Sequence, residues 1–109
     1  MSGSDSSGSS NGSWGGSSAG GCQDLRLDRF LEAPVPGAVD ALSVGDILDV
    51  ILRDEEPPLV LAVDETGQEV GGILPTGQLI ECLRQGFRFE AEVKDLNGGA
   101  VQIEVRAAA

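Results

Sequence analysis

From Leu59 to Val93 the chain reads LVLAVDETGQEVGGILPTGQLIECLRQGFRFEAEV. This segment constrains the fold more than any other. It holds an apolar strand, an acidic turn, a second strand, a short helix and then a strand that alternates strictly. Leu59 to Val63 is apolar at every position, the pattern of a strand covered on both faces. Asp64-Glu65-Thr66-Gly67 is turn chemistry, with Gly67 free to take positive φ. Glu69 to Leu74 is a short strand, in which Gly71 and Gly72 signal a bulge or a close backbone approach. The helix is expected from Pro75 or Thr76 to Gln85, with Gly86 at the left-handed position after its end. Leu79, Ile80 and Leu83 form its apolar stripe, with Cys82 at the edge. Arg84 stands in its last turn, where the dipole favours a cation.

The flanking segments extend the pattern. Leu25 to Leu31 reads as a first strand that ends or bulges where Phe30 and Leu31 break the alternation. Pro34 and Pro36 stop it, and Pro36 suits the first position of a helical turn carrying Val39 and Leu42 inward. Ile47 to Arg53 is a strand with Leu48, Val50 and Leu52 on one face. Asp54-Glu55-Glu56-Pro57-Pro58 is a loop. Phe87 to Lys94 and Val101 to Arg106 make the last hairpin, with Phe87, Phe89, Ala91, Val93, Val101, Ile103 and Val105 inward. Matching those faces requires an odd number of residues between paired positions. An Asn97-Gly98-Gly99 loop meets this and sets Val93 opposite Ile103, at the cost of Glu92 opposite Glu104. A longer loop would instead set Glu92 opposite Arg106. The inward set also takes in Leu27, Leu61, Val63, Leu79 and Leu83. The expected fold is mainly β: a small, partly open barrel of about six mostly antiparallel strands with one short helix across it.

The organisation is a tail and one domain. Residues 1–21 are almost all Ser and Gly and cannot bury enough apolar surface to offset the entropy of ordering. A linker of this composition spans on the order of 25 Å between its ends. Residues 22–109 are the single barrel domain. Trp14 is the chain's sole Trp and sits in the tail. It reads either as a tolerated residue or as an anchor that docks on a partner or back on the barrel, since Trp is favoured at interface hot spots.

The segment from Ile51 to Val93 resembles the HIRAN domain family. The matching phrases are Asp54-Glu55-Glu56-Pro57, Ala62-Val63 with Gly67 after it, Val70-Gly71, Leu74-Pro75, and the short helix with Leu79 and Leu83 ending in Gly86. They cover about half the chain. The resemblance implies a small modified barrel and, in some members, capture of the end of a single DNA strand.

The chemistry of the residues argues otherwise about function. The formal charge is −11, and Asp5 is the only charge in the tail, so the excess lies on the domain. Such a surface repels nucleic acid and anionic membranes and steers toward basic partners. Single-strand binding needs a cationic groove and aromatic platforms. The chain has no Tyr and only seven cations. Arg53, Arg84 and Arg88, with Trp14, are the candidate contacts to a partner or a nucleic acid. There is no His, and Cys82 has no base near it, so no motif names a hydrolase or a metal enzyme. The acids Asp54 to Glu56 and Asp64 to Glu69 are expected at opposite ends of the sheet, too far apart to share an ion. No catalytic residue, cofactor or metal is expected. Cys22 and Cys82 are expected as free thiols in a cytosolic chain, a bridge between them being the alternative. No signal peptide or membrane span is legible, so a cytoplasmic monomer is the expectation. Together these point to a non-catalytic interaction module that binds a protein or peptide.

Overall fold

The computed structural model describes residues 19–108. They form α1 (Ala19–Asp24), β1 (Arg26–Phe30), α2 (Pro36–Asp40), β2 (Ile47–Arg53), β3 (Leu59–Val63), β4 (Glu69–Ile73), α3 (Gly77–Arg84), β5 (Phe89–Asn97) and β6 (Ala100–Ala107). The strands make one antiparallel sheet in the order β1-β6-β5-β2-β3-β4. The sheet curls until its two edges touch. Glu32, just past β1, and Gly72 on β4 exchange two main-chain hydrogen bonds of 2.8 Å. The mainly β, partly open barrel is therefore what the chain forms. Its helices differ from expectation. Among the described residues there are three short ones: α3, α2 at the helical turn that Pro36 offered, and α1, which takes in residues 19–21 that composition assigns to the tail. Residues 1–18, with Trp14 and the rest of the expected Gly/Ser arm, lie outside the described residues.

The core follows the alternation. Phe89, Ala91, Val93, Val101, Ile103 and Val105 are buried inside the curl with Leu48 and Val50. Arg88 is exposed, and Glu90 and Glu92 remain partly open to solvent on the opposite face. Leu27, Leu52 and Leu83 pack against this core but stay half-buried. β3 needs a correction. Both of its faces are buried, but Val60 and Ala62 belong to the main core, opposite Leu52 and Val50. Leu61 and Val63 lie on the other face, where Ile51 and Asp49 are their neighbours across the ladder. An unbroken apolar run does not say which phase points inward, because both phases look the same.

Two glycines act as the sequence suggests. Gly71 lies under the returning chain, where a Cβ would stand 3.1 Å from the Leu31 Cβ and 3.2 Å from the Glu32 carbonyl oxygen. The β3–β4 register also slips beside it, so Val70 is the extra residue of a bulge. Gly86 has φ 95°. Its N–H donates to Leu83 and the Phe87 N–H to Cys82, the paired bonds of a Schellman helix end. The other end of α3 differs from expectation. Thr76 caps it, its hydroxyl accepting the Leu79 N–H at 3.1 Å, so Pro75 stands outside the helix.

The hairpin reaches the expected register by another route. Val93 pairs with Ile103 and Glu92 with Glu104. The turn holds only Gly98 and Gly99, at φ 61° and 96°, with Asn97 paired to Ala100. Positive φ at both central residues is the twist-matched hairpin turn. Lys94 is bulged out between Val93 and Asp95 and restores the parity.

The cysteines are a second correction. Cys22 and Cys82 form a disulfide, with their Cα atoms 5.7 Å apart. α1 packs against α3 and β6, which brings the two residues together. Cys82 lies with Leu79 on the fully buried face of α3, not at the edge of its stripe. Without α1 in view, nothing in the sequence sets Cys22 beside that face.

Candidate functional site

The chain's most distinctive surface is the place where the barrel fails to close. Glu32 and Gly72 are the last rung between the two edges of the sheet. A continued ladder would set Phe30 opposite Leu74, but the chain turns away at Pro75 and no such pairing forms. β1 keeps one side free. The Leu31 N–H donates to Val101 on β6 at 2.9 Å. By alternation Leu27 and Arg29 also bond toward β6, so the main-chain groups of Arg26, Asp28 and Phe30 face outward. The matching edge of β4 is taken. The Val70 carbonyl accepts from Val35 and the Gly72 groups bond to Glu32.

Arg29 occupies the gap. It stands in the inward phase of β1, opposite Ile103. Its Nε donates to the Leu74 carbonyl at 2.8 Å and its Nη1 to the Asp28 carbonyl at 2.9 Å. The guanidinium thus spans the opening where main-chain rungs would have been. Two of its five N–H groups are used so, and no carboxylate lies within ion-pair distance of it among the described residues. Above it is a cleft of about 280 Å³ lined by Asp28, Arg29, Phe30, Glu32, Leu74 and Gln102. Phe30 and Leu74 are each 60 % exposed, among the most exposed large apolar side chains described. We call this opening the seam.

The residues singled out from sequence lie elsewhere. Arg53, Arg84 and Arg88 do gather at one end of the sheet, around the end of β2 and the start of β5. There Arg84 donates to both Asp54 oxygens, at 2.9 and 3.3 Å, and to Glu81. Asp54 is the main reason its pKa is raised. Arg53 lies 3.9 Å from Glu69. Arg88 is exposed, with no carboxylate partner among the described residues. Trp14 lies outside the described residues. Arg29, Phe30 and Leu74 were missed by sequence reasoning. The signal was there: Arg29 is a charge in the apolar phase of β1, and Phe30 is an aromatic in the polar phase.

The acids divide as expected. Asp54 to Glu56 lie at one end of β3, and Asp64 and Glu65 at the other. Asp46, unforeseen, joins the second group around a hollow of about 530 Å³ floored by Ala38, Leu42 and Leu48. Its carboxylate accepts the Ser43 N–H at 2.9 Å. Asp64 accepts the Thr66 hydroxyl and the Thr66 and Gln68 N–H groups. Those bonds, the hydroxyl first, hold its pKa below the usual carboxylate range. These carboxylates organise their own turns. Among the described residues no group of three His, Cys, Asp or Glu side chains is placed to hold a metal ion.

On the outer face of β5 and β6, Arg106 binds Glu90, Glu92 and Glu104. The hydrogen bond from Arg106 chiefly lowers the Glu92 pKa, and Arg106's own pKa is raised in return. This answers the Glu92–Glu104 conflict, and Arg106 reaches Glu92 although the shorter turn is used.

Among the described residues no helix is long and apolar enough to cross a membrane. Compared with known proteins, the chain matches no family model, no curated protein and no solved structure.

Proposed function

We propose that this domain is a non-catalytic interaction module that takes an extended peptide segment along the free edge of β1 at the seam. The observation that carries the reading is the outward row of main-chain groups at Arg26, Asp28 and Phe30, set beside two exposed apolar side chains. Strand addition needs these two things: main-chain groups for affinity and pockets for alternate side chains for specificity. Natural sheets usually cover, bulge or shorten such edges. Here β4 is covered by Glu32 to Val35, while the outward main-chain groups of β1 have no main-chain partner and only the Asp28 carbonyl is taken, by Arg29. Arg29 adds spare donors for an incoming carbonyl or carboxylate. Among the described residues neither a nucleophile with its base nor a metal cluster supports a catalytic reading.

Selection of binders from a random peptide library, followed by affinity measurement on two variants, tests this. Asp28→Pro removes an outward N–H but no β6 rung, so the fold should survive. Phe30→Ser with Leu74→Ser removes the apolar contacts. Each should weaken a selected peptide tenfold or more, and the Phe30 amide should gain protection from exchange when it binds. Peptides that bind both variants as tightly as the parent chain would refute the seam as the site. Selection that yields no peptide would refute the reading as a whole.

A further inference from the structure

Resting on that reading, we infer that the seam selects its peptide by residue order: an apolar residue, then an acidic one, then a basic one, read from the peptide's N-terminus, with Phe30, Arg29 and Asp28 as the selecting side chains. Three observations support it.

The first is direction. Glu32 and Gly72 exchange both of their main-chain hydrogen bonds, and every strand pair in the sheet is antiparallel. In an antiparallel ladder such bonded pairs recur at every second residue. The next bonded positions on β1 are Phe30 and Asp28, whose partners would be Leu74 and Thr76. The chain leaves that line at Pro75 and enters α3. A peptide that takes up the ladder there runs in the direction of β4, against β1. Its successive residues then lie opposite Phe30, Arg29 and Asp28.

The second is unmatched charge. Arg29 has spare N–H groups and no carboxylate within ion-pair distance among the described residues. Asp28 has no cation within that distance among the described residues either. Its neighbour across the ladder is Glu104, whose carboxylate is held by Arg26 and Arg106. Successive strand residues point to opposite faces of the sheet, so one incoming strand, alternating in the same way, meets both charges. Opposite charges directly across an antiparallel pair are favourable, and like charges are not.

The third is the cleft beside them. At about 280 Å³ it falls below the range of pockets that take whole small molecules. It suits one apolar side chain, set opposite Phe30 and against Leu74. Glu32 and Gln102 complete the lining without a second cation. Arg29 is therefore where this acidic domain favours an acid, which separates the chosen peptide from a merely basic one. A second copy of β1 fits badly. Its outward main-chain groups sit at even positions, so paired numbers must have an even sum. A two-fold axis centred on Asp28 or Arg29 opposes like charges, and one centred on Leu27 sets Phe30 against Asp24 in α1.

Peptides selected from a random library supply the probe, and seam peptides are those weakened by Phe30→Ser with Leu74→Ser. Their shared order should be apolar, acidic, basic. Replacing the acid by Lys should weaken binding to the parent chain roughly 3–10-fold, since an attractive cross-strand pair becomes a repulsive one. Arg29→Glu should prefer the Lys version to the original, and Asp28→Lys should prefer an acid at the basic position. Such a swap in preference also shows that each variant is folded. Seam peptides that tolerate either charge at the middle position would overturn the inference. So would charge-swapped variants that keep the parent far-ultraviolet spectrum but not the swapped preference. The reverse order, basic, acidic, apolar, would mean a parallel strand and would overturn it too. A dimer in sedimentation that Phe30→Ser with Leu74→Ser breaks apart would do the same, because a second copy would then fill the seam. Selection that yields no peptide, or only peptides indifferent to the apolar substitutions, would refute the underlying reading, and the inference with it.

Discussion

Arg106 shows how one side chain settles a conflict between two local rules. The tight glycine turn forces Glu92 opposite Glu104, and the guanidinium then gathers both with Glu90. Arg106→Ala should leave three carboxylates close together and lower the thermal midpoint at neutral pH. The Glu92 pKa is depressed in the folded state, so the stability it contributes is present above the unfolded pKa. It is lost as pH falls through the folded value. The gap between Arg106→Ala and the parent chain should therefore shrink below roughly pH 4, as thermal melts across pH would record. Gly71 presents a steric limit rather than an electrostatic one. Its missing Cβ is what lets Leu31 and Glu32 cross over β4. Gly71→Ala should cost about 1–3 kcal/mol, the usual penalty for overpacking, and denaturant titration measures it. Because that crossing is also the last rung, the variant should loosen the seam as well.

Among the elements, α1 is the one held by covalent means. It has six residues, too few to persist as an isolated helix. The disulfide closes a loop with a sequence separation of 60. On the chain-entropy account such a bridge is worth about 4 kcal/mol. Cys22→Ser with Cys82→Ser, or reduction of the parent chain, should lower the unfolding free energy by roughly that amount. A thiol assay on the denatured, unreduced parent should find no free group. α3 is held differently, by Thr76 at its start and Gly86 beyond its end. Thr76→Ala should cost about 1 kcal/mol. A loss near zero in a denaturant melt would show that packing of Leu79 and Cys82 alone holds the helix.

For the whole molecule, closure and charge distribution set the limits on function. Five of the seven cations, Arg26, Arg53, Arg84, Lys94 and Arg106, lie within ion-pair distance of carboxylates. Exposed pairs of this kind add little stability, but they leave few cations for phosphates. Salt-titrated binding to a short single-stranded oligonucleotide should show no saturable association. Micromolar binding that weakens as salt rises would release counterions from phosphate contacts and favour DNA-end capture over peptide binding. The outer face also carries Ile47, Ile51 and Leu59, partly exposed around the buried Leu61 and Val63. That strip explains why β3 is apolar in both phases.

The local pattern by itself determined the strands, their inward faces on β2, β5 and β6, the hairpin register and the glycine positions. These depend on periodicity, turn chemistry and backbone sterics, which act over a few residues and are written in order along the chain. Tertiary structure decided the rest. It chose the inward phase of β3, because an unbroken apolar run has no phase of its own. It divided the hairpin's odd residue between a two-residue turn and a bulge at Lys94, because parity constrains only their sum. It joined Cys22 to Cys82, because a six-residue helix built on Gly and Ala has no periodic signal. It also left the seam open at Phe30 and Leu74, because whether two edges of a sheet meet depends on accumulated curl. That curl is a property of all six strands, and no short stretch of residues encodes it.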